Sequence, residues 1–146
     1  MIAVDTNILV YSHRRDSEFH AAAAAKVRDL AEARTPWALP WPCLHEFFSI
    51  ATHPRIYDPP SRVDQALDQI DAWLETASAV LLSEGGTYWP RLRELLADGK
   101  IAGPAVHDAR IAALCLIHGV QTLWTADRDF SRFAGLAVVN PVVGIG

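Results

Sequence analysis

Met1-Ile2-Ala3-Val4-Asp5-Thr6-Asn7 opens the chain, and Gln121-Thr122-Leu123-Trp124-Thr125-Ala126-Asp127 repeats its plan far downstream: an apolar run, then a carboxylate. Short apolar runs bounded by polar turns read as buried strands. Strands buried on both faces belong to parallel sheets covered by helices. Asp5 and Asp127 then stand at the carboxyl ends of their strands, where open α/β sheets bind ligands.

The sequence between these two runs supplies the covering helices. Residues 7–13 begin a helix with Asp5 or Thr6 as its cap, and residues 18–33 carry the alanine run Ala21 to Ala25 after Ser17. Residues 35–40 are bracketed by prolines and must be extended. A helix follows over 42–52, with Pro42 in its first turn and Pro54 beyond its end. After a turn at 57–61, Val63, Ala66, Leu67, Ile70 and Leu74 form a helical stripe, and residues 79–82 read as a strand. A helix through 92–97 closes at Asp98-Gly99. Val106, Ala109, Ala112, Ala113, Leu116 and Ile117 share one face of a helix over 106–118 that Gly119 stops. A last short strand covers 137–139. Strands alternating with helices predict an α/β fold with a mainly parallel central sheet.

At 146 residues and 51% apolar content the chain fits one domain, residues 1–146. A net charge of −4 argues against a protein that coats nucleic acid by bulk positive potential. A polyanionic substrate would need local cations, for which Arg14, Arg15, Arg55, Arg62, Arg91, Arg93, Lys100, Arg128 and Arg132 are candidates. Cys43 and Cys115 lie in apolar contexts and read as buried free thiols of a reducing compartment. With no signal-peptide pattern and no apolar run of about 18 residues, a soluble cytoplasmic protein without membrane association is expected.

Four carboxylates carry the chemistry: Asp5, Glu46, Asp108 and Asp127. Each has an ordinary use. Asp5 caps a helix, Glu46 faces solvent, Asp108 complements a helix dipole, and Asp127 caps a turn. Converging, they would repel: two carboxylates about 4 Å apart cost roughly 4 kcal/mol at an effective dielectric near 20. A compensating cation is then required, and all-oxygen donors suit Mg²⁺ or Mn²⁺. Such sites favour phosphate chemistry.

The ordered set Asp5-Thr6-Asn7, helical Glu46 within His45-Glu46-Phe47, the opening His107-Asp108-Ala109-Arg110-Ile111-Ala112-Ala113, and Thr125-Ala126-Asp127-Arg128-Asp129-Phe130 resembles a PIN-domain ribonuclease. It is most similar to the VapC-type toxins of type II toxin–antitoxin pairs. The resemblance covers nearly the whole chain and implies a three-layer α/β/α sandwich. It implies a Mg²⁺- or Mn²⁺-dependent endoribonuclease in which Asp5, Glu46, Asp108 and Asp127 form the catalytic, metal-binding quartet. Asn7 and Thr125 match polar supporting positions, and Asp129 a secondary acidic one. It also implies an RNA substrate, a homodimer and a cognate antitoxin. Hydrolysis by a metal-activated water would leave a 5′ phosphate and a 3′ hydroxyl.

His45 and His107 each precede a carboxylate, but adjacent helical residues diverge by about 100° and do not face one metal. A zinc site is not expected. His13, His20, His53 and His118 belong at surfaces or helix ends. Trp37 and Trp41, beside prolines, look like interface residues. Two alternatives stand beside the nuclease. A phosphatase of haloacid-dehalogenase type wants a second Asp two residues after the first, where this chain has Asn7. A non-catalytic interaction domain would use the acids only as caps and surface charges.

Overall fold

The structure, a computed structural model, describes residues 1–143. Its centre is a five-stranded, wholly parallel sheet: β1 (Ile2–Val4), β2 (Trp37–Pro40), β3 (Ala79–Leu82), β4 (Thr122–Trp124) and β5 (Ala137–Val139). The spatial order is β3-β2-β1-β4-β5. The chain moves outward from β1 through β2 to β3, then returns to lay β4 on the other side of β1. That reversal opens a crevice beyond the carboxyl ends of β1 and β4, the switch point at which α/β sheets place their ligands. Register makes the juxtaposition specific, because Val4 pairs with Trp124 and the next residues are Asp5 and Thr125.

Among the described residues, six α-helices flank the sheet as a three-layer α/β/α sandwich: α1 (Thr6–His13), α2 (His20–Glu32), α3 (Trp41–Ala51), α4 (Val63–Leu74), α5 (Tyr88–Asp98) and α6 (Val106–Ile117). α1 packs on α2 and α3, α3 also on α4, and α5 on α6. Asp5 does cap α1, accepting from Thr6 N at 2.8 Å. Pro42 sits in the first turn of α3, where a missing N–H costs nothing. Gly119, at φ +71°, turns the chain out of α6 as expected of a C-terminal glycine. No helix among the described residues is long and apolar enough to cross a membrane.

Two sequence expectations are corrected. Trp37 is core, not interface: it is fully buried on β2, between β1 and β3, and its indole N–H donates to Thr76 Oγ1 at 3.2 Å. The flanking prolines marked the segment as extended, as β2 is, but did not reveal its central place in the sheet. Pro40 is tolerated because it is the strand's last residue. The α4 stripe is also rotated. Val63 and Leu67 are exposed, while Ala66 and Trp73 are buried and Ile70 packs beside them. Trp73 meets Phe47 edge-on with ring centroids 4.8 Å apart, and the bulk of an indole decides which face turns inward.

Candidate acidic site at the strand switch point

Asp5 emerges from β1 into the interior and is only 3% exposed. Its Oδ2 accepts from Thr125 Oγ1 at 2.7 Å and from Asn7 Nδ2 at 3.5 Å; its Oδ1 accepts from Thr6 N at 2.8 Å and Cys43 Sγ at 3.5 Å. Burial raises its pKa above the ordinary 3.8, opposed first by the Thr125 hydrogen bond. Desolvation disfavours the charged form, and hydrogen bonds to the carboxylate restore part of it.

Thr125, 1% exposed, is the hub. While donating to Asp5 its hydroxyl accepts from Asn7 Nδ2 at 3.2 Å and from Asp127 N at 3.0 Å. Asn7 Oδ1 in turn accepts from Ala126 N at 3.0 Å. The exit of β4 is thereby stitched to the start of α1. Asp127 then caps the 3-10 turn Arg128–Arg132, accepting at Oδ1 from Asp129 N at 2.8 Å. A short chain of bonds thus runs from the buried Asp5 to the two carboxylates on the rim.

Asp108 comes from the first turn of α6. One carboxylate oxygen each from Asp108, Asp127 and Asp129 lie within 4.8 Å of one another. The Asp108 pKa is raised, first by burial, then by the like charge of Asp127; Arg132 opposes and Asp129 and Glu46 add to the rise. Three hard oxygen donors packed against mutual repulsion fit a divalent cation of the Mg²⁺ or Mn²⁺ kind. Asp129, secondary in the sequence, therefore joins this trio, while Asp5 lies two hydrogen bonds behind it, through the Thr125 hydroxyl. Glu46 is exposed on α3, and its Oε2 accepts from Thr6 Oγ1 at 3.2 Å. It turns towards the Asp5 end of the site.

Two contacts escaped the sequence reasoning: Thr6 on Glu46, and Cys43 on Asp5. Cys43 precedes Glu46 by three residues on α3, a spacing that shares a helix face. That signal was legible. Among the candidate cations, Arg14 is committed elsewhere. It pairs with Asp16 at 2.6 Å, donates to Pro59 O at 2.9 Å and lies over the Tyr57 ring.

A PIN domain family model matches residues 2–136. The chain is 34% identical over 144 residues to ribonuclease VapC43 of Mycobacterium tuberculosis, covering 99% of this chain and 97% of that protein. Solved structures share the fold. VapC20 of Mycobacterium tuberculosis, described as a toxin that cleaves the sarcin-ricin loop, superposes with a TM-score of 0.67 at 17% identity, over 90% of this chain and 93% of its own. VapBC2 of Rickettsia felis, bound to a DNA fragment from its promoter, gives a TM-score of 0.64 at 24% identity, over 95% of this chain and 98% of that one. With both strand ends, the acidic trio and the whole length accounted for, the chain belongs to the PIN-domain family, among the VapC proteins.

Proposed function

We propose that this protein is the toxin of a toxin–antitoxin pair, a Mg²⁺- or Mn²⁺-dependent endoribonuclease, with residues 1–146 forming one cytoplasmic domain. The convergence of Asp108, Asp127 and Asp129 at the β1/β4 switch point carries the proposal. Kinship to proteins named as ribonucleases supports the substrate class.

Asp5, Glu46, Asp108 and Asp127 are proposed as the catalytic and metal-holding residues, with Asp129 as a further donor and Asn7 and Thr125 as supports. When bound, the cation would supply an acidified water as nucleophile and neutralise charge growing on the phosphate. This chain's residues then divide the remaining work. Asp108, Asp127 and Asp129, on the solvent side, would hold the cation, with Asp5 and Glu46 completing the donor set behind them. Thr125 fixes Asp127 through its backbone N–H and ties it to Asp5, so the rim carboxylates are positioned before substrate arrives. No imidazole is needed to deprotonate the 2′ hydroxyl, and the products are a 5′ phosphate and a 3′ hydroxyl.

VapBC structures such as that from Rickettsia felis support a cognate antitoxin as partner, and a homodimer is proposed with it. The test is to express the protein without its partner and sequence cellular RNA 5′ ends. Discrete new 5′-phosphate ends that vanish with Asp127→Asn are expected. An RNA 5′-end profile identical for the two proteins, both folded and both expressed, would overturn the nuclease.

A further inference from the structure

His45 and His107, set aside as metal ligands because they diverge from the carboxylates beside them, share the wall of one cleft. Both line a cleft of about 380 Å³ between α3 and α6, together with Glu46 and Arg110. A second cleft of about 360 Å³ continues from it, sharing Pro42, His45 and Arg110 and walled by Trp41, Leu114 and Glu84, its one carboxylate among the described residues. Each falls within the ~300–1,000 Å³ range of small-ligand clefts.

The chemistry of this wall differs from that of the acidic trio. Arg110 approaches His107 Nδ1 at 3.3 Å, and among the described residues it makes no ion pair with a carboxylate. The Trp41 and His45 rings lie at 30° with centroids 6.0 Å apart, a flat pair beside the cleft. A guanidinium and imidazoles recognise phosphate, and an indole face stacks on a base without regard to sequence. An acidic chain that must hold a polyanion next to carboxylates needs such groups beside them, because its net charge of −4 gives no general attraction.

Resting on the nuclease proposed above, we infer that the α3/α6 cleft is a nucleotide subsite. It takes one unpaired nucleotide of an RNA strand next to the scissile phosphate. The phosphate lies on Arg110 and His107, and the base lies against Trp41. Glu46 belongs to the wall of this cleft and also reaches Thr6 beside Asp5. A strand leaving the subsite therefore passes directly to the acidic centre. Arg110 and Trp41 set affinity and register, and the carboxylates set rate.

The test compares wild-type protein with Arg110→Ala, Arg110→Lys, Trp41→Leu and, as a distant control, Arg28→Ala on α2. Each is assayed for cleavage of a short single-stranded RNA in Mn²⁺. Arg110→Ala should raise KM roughly tenfold, the usual loss for a charged hydrogen bond, with kcat nearly unchanged because the contact is equal in ground and transition states. In an Asp127→Asn background, its log-affinity against log-salt slope should fall by about 0.7, one phosphate contact. Arg110→Lys should recover the slope. Trp41→Leu, which keeps apolar bulk, should weaken binding about fivefold or more through loss of stacking, and Arg28→Ala should match wild type. Wild-type protein that cuts no RNA would overturn the nuclease itself. Wild-type protein that cuts, with KM and salt slope unchanged in Arg110→Ala and Trp41→Leu, would overturn the subsite alone. A shifted sedimentation coefficient with RNA affinity intact would also overturn it, assigning the cleft to a protein partner.

Discussion

Replacing Thr125 by valine removes one hydroxyl and almost no volume, and three groups lose a hydrogen bond at once: Asp5 Oδ2 and Asn7 Nδ2, which keep only their mutual 3.5 Å contact, and the N–H of Asp127. The first loss dominates. A hydrogen bond to a buried charge contributes about 1.5–3 kcal/mol, and Asp5 at 3% exposure has no water to replace it. Asn7 and Asp127 are only partly buried and recover solvent bonds. The expected destabilisation is therefore about 2–3 kcal/mol at neutral pH, or roughly 5–12 °C in Tm for a domain of this size. Protonation limits the loss. Thr125 is the largest influence opposing the burial that raises the Asp5 pKa, so without it Asp5 takes up a proton more readily, and the penalty should shrink as pH falls.

Urea unfolding of metal-free protein, followed by tryptophan fluorescence at several pH values, measures the effect. Thr125→Ser, which keeps the hydroxyl, should lose only about 1 kcal/mol for its methyl group. RNA cleavage should fall by one to two orders of magnitude in Thr125→Val, because Asp127 is no longer fixed relative to α1. Unfolding within about 0.5 kcal/mol of wild type at all pH values, with cleavage unchanged, would refute the role given to this network.

Three further outcomes follow from the same geometry. Mg²⁺ or Mn²⁺ at a hundred times its Kd should stabilise the wild type by about 2.7 kcal/mol, whereas Asp108→Asn should respond little and, metal-free, should be as stable or up to about 1 kcal/mol more stable through relief of repulsion within the trio; calorimetry with and without chelator reads both. His13, at the end of α1, has its pKa lowered from 6.5 first by burial, against support from Gln69 and with Arg14 and His20 adding to the depression; Ser61 and the Phe47 edge also face it. The folded state then binds fewer protons than the unfolded one just below pH 6.5, so stability is lost as pH falls through that window. The loss is small for a ring that is only partly buried, and His13→Gln should flatten it in chemical unfolding. Phe47→Ala, which empties a fully buried position against Trp73 and His13, should cost about 3–5 kcal/mol by urea titration.

Much of the fold was legible because its elements carry local signatures. β3 and β5 occur where apolar runs placed them, and α6 ends at Gly119. The order of the strands was not legible, since β1 meets both β2 and β4 through contacts that no local pattern encodes. The prolines around β2 marked it as extended without placing it at the centre of the sheet, and the buried face of α4 was decided by an indole that outweighs two aliphatic side chains, Val63 and Leu67. In the candidate site, the positions of Asp5 and Asp127 at strand exits and of Asp108 at a helix opening were readable. Asp129 was not separable from a turn residue, because its approach to Asp108 depends on the 3-10 turn that Asp127 itself caps.

The arrangement also determines which substitution can test the chemistry. Asp5 accepts from Thr125, Thr6, Asn7 and Cys43. An asparagine there would turn an amide NH₂ towards one or more of these donors and leave buried groups unpaired. Activity lost in Asp5→Asn therefore mixes a missing carboxylate with a disturbed scaffold. Among the described residues Asp127 accepts a single hydrogen bond, at Oδ1 from Asp129 N, and it is only partly buried. An asparagine keeps that acceptor and removes the charge, so Asp127→Asn separates the two effects. If the rim carboxylates hold the cation and Asp5 both adds to that donor set and holds the rim in place, Asp127→Asn loses cleavage with stability preserved, and Asp5→Asn loses both. The opposite pattern, an unfolded Asp127→Asn and a stable, inactive Asp5→Asn, would transfer the chemistry to the buried carboxylate.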